Sequence, residues 1–373
     1  MNKVFLCKET DEETRVAMVP ADIKKLIGLG YEFAVESNAG LKTGYTDEEY
    51  KLAGAKIVQS TQEGYEFSDS QIVVRINKPD DGITNIRKNT LHISSFDVFS
   101  EKAALQEFAD AGIKVVSLEM VPRTTLAQKM DIQSSQASLA GYYSVILAAS
   151  KLPKILPMMM TPSGTISPAR VFIIGVGVAG LQAIATARRL GARVEAFDTR
   201  PVVEEEVRSL GAKFVKIDLG ETGQTDQGYA KELTPEQVEI QRKAQAKVCS
   251  QSDIVITTAK VFGRKAPLLL TKEMISQMKP GSIIIDMAVK TGGNVEGSDP
   301  DKDVTLENGV HIISGDSLER FIPRDASNMF SGNITAFLEH FWDEENKTFK
   351  MDEEDDILKG CLITSDGKIV REL

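Results

Sequence analysis

One stretch constrains the fold of this 373-residue chain more than any other. From Arg170 to Asp198 it reads Arg170-Val-Phe-Ile-Ile-Gly175-Val-Gly177-Val-Ala-Gly180, an Ala/Leu/Ile-rich segment to Leu190, Gly191, then Arg193-Val-Glu-Ala-Phe-Asp198. A short β-branched apolar run suits a buried strand. A G-x-G-x-x-G turn follows, then a helix-period segment closed by Gly191, then a second strand ending in an acid. Gly175 permits a tight turn, Gly177 lets a pyrophosphate approach the backbone, and Gly180 lets helix pack close to strand. The helix N-terminus offers phosphates free N–H groups and a positive dipole end. Asp198 stands where a carboxylate accepts hydrogen bonds from the adenosine ribose hydroxyls. That acid favours NAD(H) and repels the 2′-phosphate of NADP(H), a preference slightly tempered by Arg200. The bland alternative is a glycine-rich turn that binds nothing, but strand, glycines, helix, strand and acid arrive in order.

The length predicts two domains, and an apolar content of 42% supports a core in each. A net charge of −10 without a basic cluster argues against nucleic acid. No apolar run reaches the ~20 residues needed to span a bilayer. The best, Val145 to Met160, is interrupted by Lys151, Pro153, Lys154 and Pro157, so no direct membrane insertion is expected. The N-terminus does not read as a signal peptide, because its apolar part is short and charges follow. Cys7, Cys249 and Cys361 are scattered, imply neither a disulfide framework nor a zinc site, and fit a reducing cytoplasm. His92, His311 and His340 lack metal-ligand spacing, and each reads as a structural or surface histidine. No metal site is expected.

The first half alternates strands (3–8, 33–36, 56–58, 71–76, 90–93, 114–118) with helices (21–29, 47–53 capped by Thr46, 101–111). This is a parallel α/β unit without a G-x-G-x-x-G of its own. Residues 121–136 are polar and aperiodic. They lead into a helix over 137–152 that bridges two domains, with Ser134 or Ser135 as its cap. Residues 151–169, with four prolines, form a linker or crossing loop in which Met158–Met160 serves packing. Beyond Asp198, helices are expected at 201–210 and 235–252, and strands at 214–217, 253–259, 282–288 and 310–313. The glycine-rich segment 219–235 is either a lid or a surface excursion. The carboxyl edge of this second sheet then presents Gly175, Asp198, Thr258–Lys260 and Asp286–Gly293, the edge where open parallel sheets bind ligands. A second long helix is expected at 328–342, then an acidic segment and a tail with a turn at Asp366-Gly367 that pairs into the first domain. The reading is α/β: two Rossmann-like, doubly wound parallel-sheet domains joined by long helices. Residues 1–133 with 324–373 form the first domain and 134–323 the second.

Several motifs together resemble one family. They are Pro122-Arg123 with Gln128, Met130-Asp131, Ser134-Ser135-Gln136 and Leu139-Ala-Gly141-Tyr142; Met158-Met-Met-Thr161; the glycine fingerprint through Ala187; Gly228-Tyr-Ala-Lys231; and Asp286-Met-Ala-Val with Gly292-Gly-Asn294. The chain resembles, over essentially its whole length, the NAD(H)-binding component of proton-translocating NAD(P)+ transhydrogenase, of the Re/Si-specific type. The resemblance implies a homodimer with the nucleotide in the interdomain cleft, membrane-embedded partner subunits, and a separate domain carrying NADP(H). It implies direct hydride transfer from NADH to NADP+, coupled by the membrane subunits to proton translocation. A chain ending at Leu373 would be the soluble component of a three-polypeptide enzyme, cytoplasmic and peripheral to the inner membrane through its partners. By the same resemblance Arg123, Gln128, Asp131 and Ser134 hold the nicotinamide and its ribose-phosphate, and are the catalytic candidates. Thr124, Thr125, Leu126, Gly175, Gly177, Val178, Ala179, Gly180, Asp198, Thr199, Arg200, Gly228, Tyr229, Gln241, Thr258, Ala259 and Lys260 complete the NAD(H) set, with Tyr229 on a closing loop.

The related alanine dehydrogenases carry a first-domain lysine and histidine for substrate binding and proton transfer. Here Asn77 and Ser94 occupy those columns, with His92 offset by two residues. Arg15 matches a substrate arginine shared by both groups, and reads equally as a structural ion pair. The chemistry agrees with this departure. Reductive amination of a keto acid needs a group to manage protons. Hydride transfer between two nicotinamides needs only the reacting carbons held at ~3–3.5 Å in a water-poor site.

Overall fold

The computed structural model describes residues 1–59, 70–79, 86–220, 222–223 and 233–371. The chain forms two compact units, Met1–Gln136 with Arg320–Leu373, and Ala137–Glu319.

The first unit opens with β1 (Lys3–Leu6), α1 (Pro20–Leu29), β2 (Glu32–Glu36), α2 (Asp47–Leu52) and β3 (Lys56–Val58). Then come β4 (Ile72–Asn77), β5 (Leu91–Ser95), α3 (Lys102–Asp110) and β6 (Lys114–Ser117). Local chemistry sets several boundaries. Gly30 ends α1 at φ 126°, and Thr46 with Glu49 forms a reciprocal capping box on α2. The parallel strands lie in the order β3-β2-β1-β4-β5-β6. Strands β4 and β5 are almost wholly buried, as expected when both sheet faces are covered.

The helix expected from Ala137 begins earlier. Helix α4 spans Ile132–Lys151 and therefore crosses the boundary between the units. Its cap is Asp131, not Ser134 or Ser135: the Asp131 Oδ1 accepts the Ser134 N–H at 2.9 Å. A carboxylate caps with full charge, and the two serines fall inside the first turn.

Within the second unit the proline-rich segment is not only a loop. Strands β7 (Met159–Thr161) and β8 (Gly164–Ile166) form an antiparallel hairpin. The expected packing of Met158–Met160 is overturned, since all three are exposed, Met160 by 73%. The main sheet then follows with β9 (Arg170–Ile174), α5 (Val178–Arg189), β10 (Arg193–Phe197), α6 (Glu204–Ser209), β11 (Lys213–Phe214), α7 (Pro235–Cys249) and β12 (Ile254–Thr257). Helix α8 (Lys272–Ser276), β13 (Ile283–Asp286), a two-residue β14 (Val304–Thr305) and β15 (His311–Ser314) complete it. The strand order is β11-β10-β9-β12-β13-β15-β14, parallel except for the edge strand β14. Both faces are covered. Val171, Ile173, Ile256 and Ile285 pack with Ala183, Ile184 and Ala187 of α5 and Val145 and Ala148 of α4. Phe172, Ile174, Val255 and Ile284 pack on the opposite face with Cys249, Met274 and Ile275. Alternate residues of each strand thus enter different cores, and this explains the unbroken apolar runs. The strand expected at 214–217 is shorter and lies at 213–214, because only Glu195 and Ala196 of β10 pair with it.

The chain returns to the first unit as α9 (Pro323–His340), five residues longer at its start than the periodicity indicated. A small hairpin follows, β16 (Trp342–Asp343) with β17 (Thr348–Phe349), then α10 (Asp356–Cys361). Strands β18 (Leu362–Ser365) and β19 (Lys368–Ile369) extend the first sheet beyond β6, β18 antiparallel to β6 and β19 antiparallel to β18. Asp366 and Gly367 both take positive φ in the turn between them.

Candidate functional site

In the second sheet the chain winds outward from β9 to β11, then returns to place β12 on the other side of β9. The carboxyl ends of β9 and β12 therefore mark the switch point where such sheets bind ligands. Four loops, those after β9, β10, β12 and β13, meet there through hydrogen bonds. The Thr258 hydroxyl after β12 donates to the Gly175 carbonyl at 2.9 Å. The Asp198 carboxylate after β10 accepts the Val176 N–H at 2.8 Å. The Asn294 side chain, after β13, clasps Ala259, accepting its N–H at 3.1 Å and donating to its carbonyl at 3.0 Å.

The glycines divide by physical role. Gly175 has φ 98°, and an added Cβ would lie 2.7 Å from the Thr258 hydroxyl. At Gly180 a Cβ would lie 2.0 Å from the Gly175 carbonyl oxygen, so close helix–strand packing demands glycine. At Gly177, the N-cap of α5, a Cβ would meet nothing within 4 Å among the described residues. Among the described residues no side chain caps α5. The N–H groups of Val178 and Ala179 stand in the first turn, at the positive end of a 12-residue helix. This cradle fits a dinucleotide pyrophosphate. Gly141 has a matching reason: its Cβ would lie 2.2 Å from the Ala179 carbonyl, where α4 crosses the start of α5.

Asp198 and Arg200 form a closed pair. Asp198 Oδ1 accepts the Arg200 backbone N–H at 2.8 Å and Nε at 2.9 Å, and Oδ2 accepts Nη2 at 2.8 Å. The carboxylate raises the Arg200 pKa, so the guanidinium stays charged.

Sequence spacing did not disclose how Asp286 and Asn294 build this edge. Asp286 is fully buried and accepts the N–H groups of Ala288, Asn294 and Val295 at 3.0–3.1 Å and the Ser298 hydroxyl at 2.9 Å. Asn294, also fully buried, donates to the Pro267 carbonyl at 2.8 Å as well. The available signal was a buried strand ending in Asp, followed by the positive-φ pair Gly292-Gly293. Lys260 is exposed beside this clasp, and Thr199 is partly buried beside Asp198. Gln241 lies on α7, 4% exposed, with its Oε1 unpartnered among the described residues. Gly228 and Tyr229 lie outside the described residues.

In the first unit the candidate segment is anchored at α4. The Ser134 hydroxyl donates to Asp131 Oδ2 at 2.6 Å, and Arg123 Nη2 donates to Gln133 Oε1 at 3.1 Å. Asn333 of α9 donates to the Lys129 carbonyl at 2.8 Å and accepts the Ser135 hydroxyl at 2.7 Å. Arg123, Thr124, Thr125, Leu126 and Gln128 are exposed.

The switch point of the first sheet, between β1 and β4, holds ion pairs instead of a glycine loop. Arg15 binds Glu13 at 2.7–2.8 Å and donates to Gln136 Oε1 at 3.0 Å, so its ion-pair role is real. Asn77 donates to Glu13 Oε2 at 3.1 Å. Glu9 accepts the Ile76 N–H at 2.6 Å, and burial pushes its pKa up to about 7 against the pull of Arg75. His92 is fully buried, edge-on to Phe96 and Phe108, and burial drives its pKa well below the usual value. Among the described residues no His, Cys, Asp or Glu cluster is arranged to hold a metal ion, and no helix is long and apolar enough to cross a membrane.

Comparison with known proteins agrees with this geometry. The alanine dehydrogenase/PNT N-terminal domain model matches residues 5–140, and the C-terminal domain model residues 144–372. An NAD(P) transhydrogenase subunit alpha polypeptide of Rhodospirillum rubrum is 40% identical over 366 residues, covering 96% of this chain and 94% of the relative. Alanine dehydrogenase of Bacillus subtilis is 29% identical over 335 residues, covering 87% of this chain and 81% of the relative. A crystal structure of transhydrogenase from Sinorhizobium meliloti superposes with a TM-score of 0.87 at 38% identity, covering 99% of this chain and all of the other.

Proposed function

The chain belongs to the alanine dehydrogenase/PNT family, and from that premise we propose that it is the NAD(H)-binding component of a proton-translocating NAD(P)+ transhydrogenase. The observation that carries this reading is the uncapped α5 N-terminus under Gly177, with Asp198 and Thr258 tied to the same strand edge.

In this reading the N–H groups at the start of α5, from Val178 and Ala179, hold the pyrophosphate. Asp198, with Thr199 and Arg200 at its side, takes the adenosine ribose. Thr258, Ala259 and Lys260 border the phosphates on the β12 side, with Asn294 fixing their backbone. Gln241 and the Gly228-Tyr229 segment belong to the same set. From the first unit, Arg123 steadies ribose-phosphate oxygens through charge-assisted hydrogen bonds, with Thr124, Thr125 and Leu126 beside it. Gln128, Asp131 and Ser134 orient the nicotinamide. Bound NADH supplies the hydride, and NADP+ on a partner subunit receives it. The chain's residues position and exclude water; they move no proton. Membrane-embedded partners couple the exchange to proton translocation. The active form is a homodimer, held at the cytoplasmic face of the inner membrane through those partners.

The runner-up is an alanine-dehydrogenase-like oxidoreductase. It needs a proton-handling group within reach of substrate. His92 is 0% exposed and enclosed by aromatic rings, while Asn77 and Ser94 do not titrate near neutrality. Two assays separate the readings. Deamination of L-alanine with NAD+ by the isolated protein would establish the runner-up. Under the transhydrogenase reading Arg123→Ala weakens NADH binding and slows exchange with an NADP(H)-binding partner, and no alanine-dependent NADH forms.

A further inference from the structure

The Asp198–Arg200 pair does more than sit beside a ribose subsite. A carboxylate offers about four lone-pair positions. Those of Asp198 meet four donors: the backbone N–H groups of Val176 and Arg200, and Nε and Nη2 of the Arg200 side chain. Arg200 Nη2 also donates to the Val176 carbonyl at 3.0 Å, which ties the guanidinium to the glycine loop itself. The side chains are 7% and 15% exposed, so water has little share in these bonds. The two backbone donors are fixed by the β9–α5 turn and by the turn after β10. Only the guanidinium can leave.

We propose that Arg200 is an internal competitor for the ribose subsite and the residue that sets its choice between a free diol and a 2′-phosphate. The proposal rests on Asp198 being the ribose acid. A nucleotide with free 2′- and 3′-hydroxyls replaces the guanidinium as donor to Asp198. A 2′-phosphorylated nucleotide keeps only its 3′-hydroxyl as donor, brings about two negative charges toward Asp198, and meets a guanidinium whose charge is already neutralised by that carboxylate. The arginine that weakens an NAD(H) assignment in the sequence is thus disarmed by its own neighbour.

Equilibrium fluorescence titration of NADH and NADPH on the full chain tests this, with thermal unfolding as a check on folding. Arg200→Met is expected to bind NADH about 3- to 10-fold more tightly than the unaltered protein, because one charge-assisted pair no longer has to be broken. Asp198→Asn keeps an acceptor for the Val176 N–H but releases the charge of Arg200. It is expected to lose NADH affinity and gain NADPH affinity, and the double variant D198N/R200M is expected to lose that gain. A general loss of structure weakens both nucleotides together and cannot produce opposite signs. Weaker or unchanged NADH binding in Arg200→Met overturns the competitor role. Equal NADPH affinity in D198N and the double variant overturns the specificity role. Failure of the unaltered protein to bind NADH at all instead overturns the nucleotide reading beneath both.

Discussion

Gly177 and Gly180 are three residues apart in one motif, yet they answer to different constraints. Gly180 is required by the protein, since its Cβ would strike the Gly175 carbonyl at 2.0 Å. Gly177 is required by nothing among the described residues. Gly180→Ala is therefore expected to lower stability by about 1–3 kcal/mol through overpacking. Gly177→Ala is expected to hold stability within about 1 kcal/mol, as for an N-cap change, while NADH affinity falls at least about tenfold. Chemical denaturation and titration on the two variants separate the roles, and equal stability losses would contradict the assignment. Glu9 gives a second residue-scale expectation. Its folded pKa, raised to about 7 by burial, lies above its unfolded value. The folded state then holds the extra proton, so stability falls as pH rises from about 4.5 to 7. Glu9→Gln removes that slope and gains on the order of 3 kcal/mol over the unaltered protein between pH 4.5 and 8. Parallel stability–pH curves would refute it.

At the scale of elements, the site edge is braced from below. Among the described residues the Asn294 side chain bonds only to backbone, and three backbone atoms of Ala259 and Pro267 depend on it. Asn294→Ala leaves those buried groups unpaired, at a cost of about 1–3 kcal/mol each if no water enters. NADH binding should weaken with the Thr258–Lys260 backbone, and an unchanged affinity would show that the clasp does not position it. The sequence disclosed the parallel strands well, because burial on both faces writes itself as runs such as Val171–Ile174 and Ile283–Ile285. Positive-φ glycines mark the ends of five helices, α1, α2, α3, α5 and α6, and could be read locally. Legibility failed where tertiary context decides. The β7–β8 hairpin is exposed on all six residues, so its methionines carried no burial pattern to read. The start of α4 was misplaced because Asp131 reads as a site ligand and serves as the cap. The clasp of Asp286 and Asn294 joins groups up to 35 residues apart and leaves no local signature.

For the whole molecule, the two sheets share a winding order but differ at their switch points. One ends in glycine and free N–H groups, the other in the paired charges of Glu13 and Arg15. The resemblance seen in the Arg123–Gln136 and Asp286–Asn294 motifs holds, since both domain models of the family match. On the proposed reading, the burial of His92 among aromatic rings is what sets the chain apart from alanine dehydrogenase chemistry. On that same reading, this chain presents NADH by geometry alone to an acceptor on another polypeptide. The most direct measurement loads the protein with NADH, mixes it with a soluble NADP(H)-binding domain carrying an NADP+ analogue, and follows the analogue's absorbance across pH 6 to 8. Reduction of the analogue is expected, at a rate that does not follow a single titrating group. No reduction in the mixture, with NADH formed from NAD+ and L-alanine by the chain alone, would contradict it.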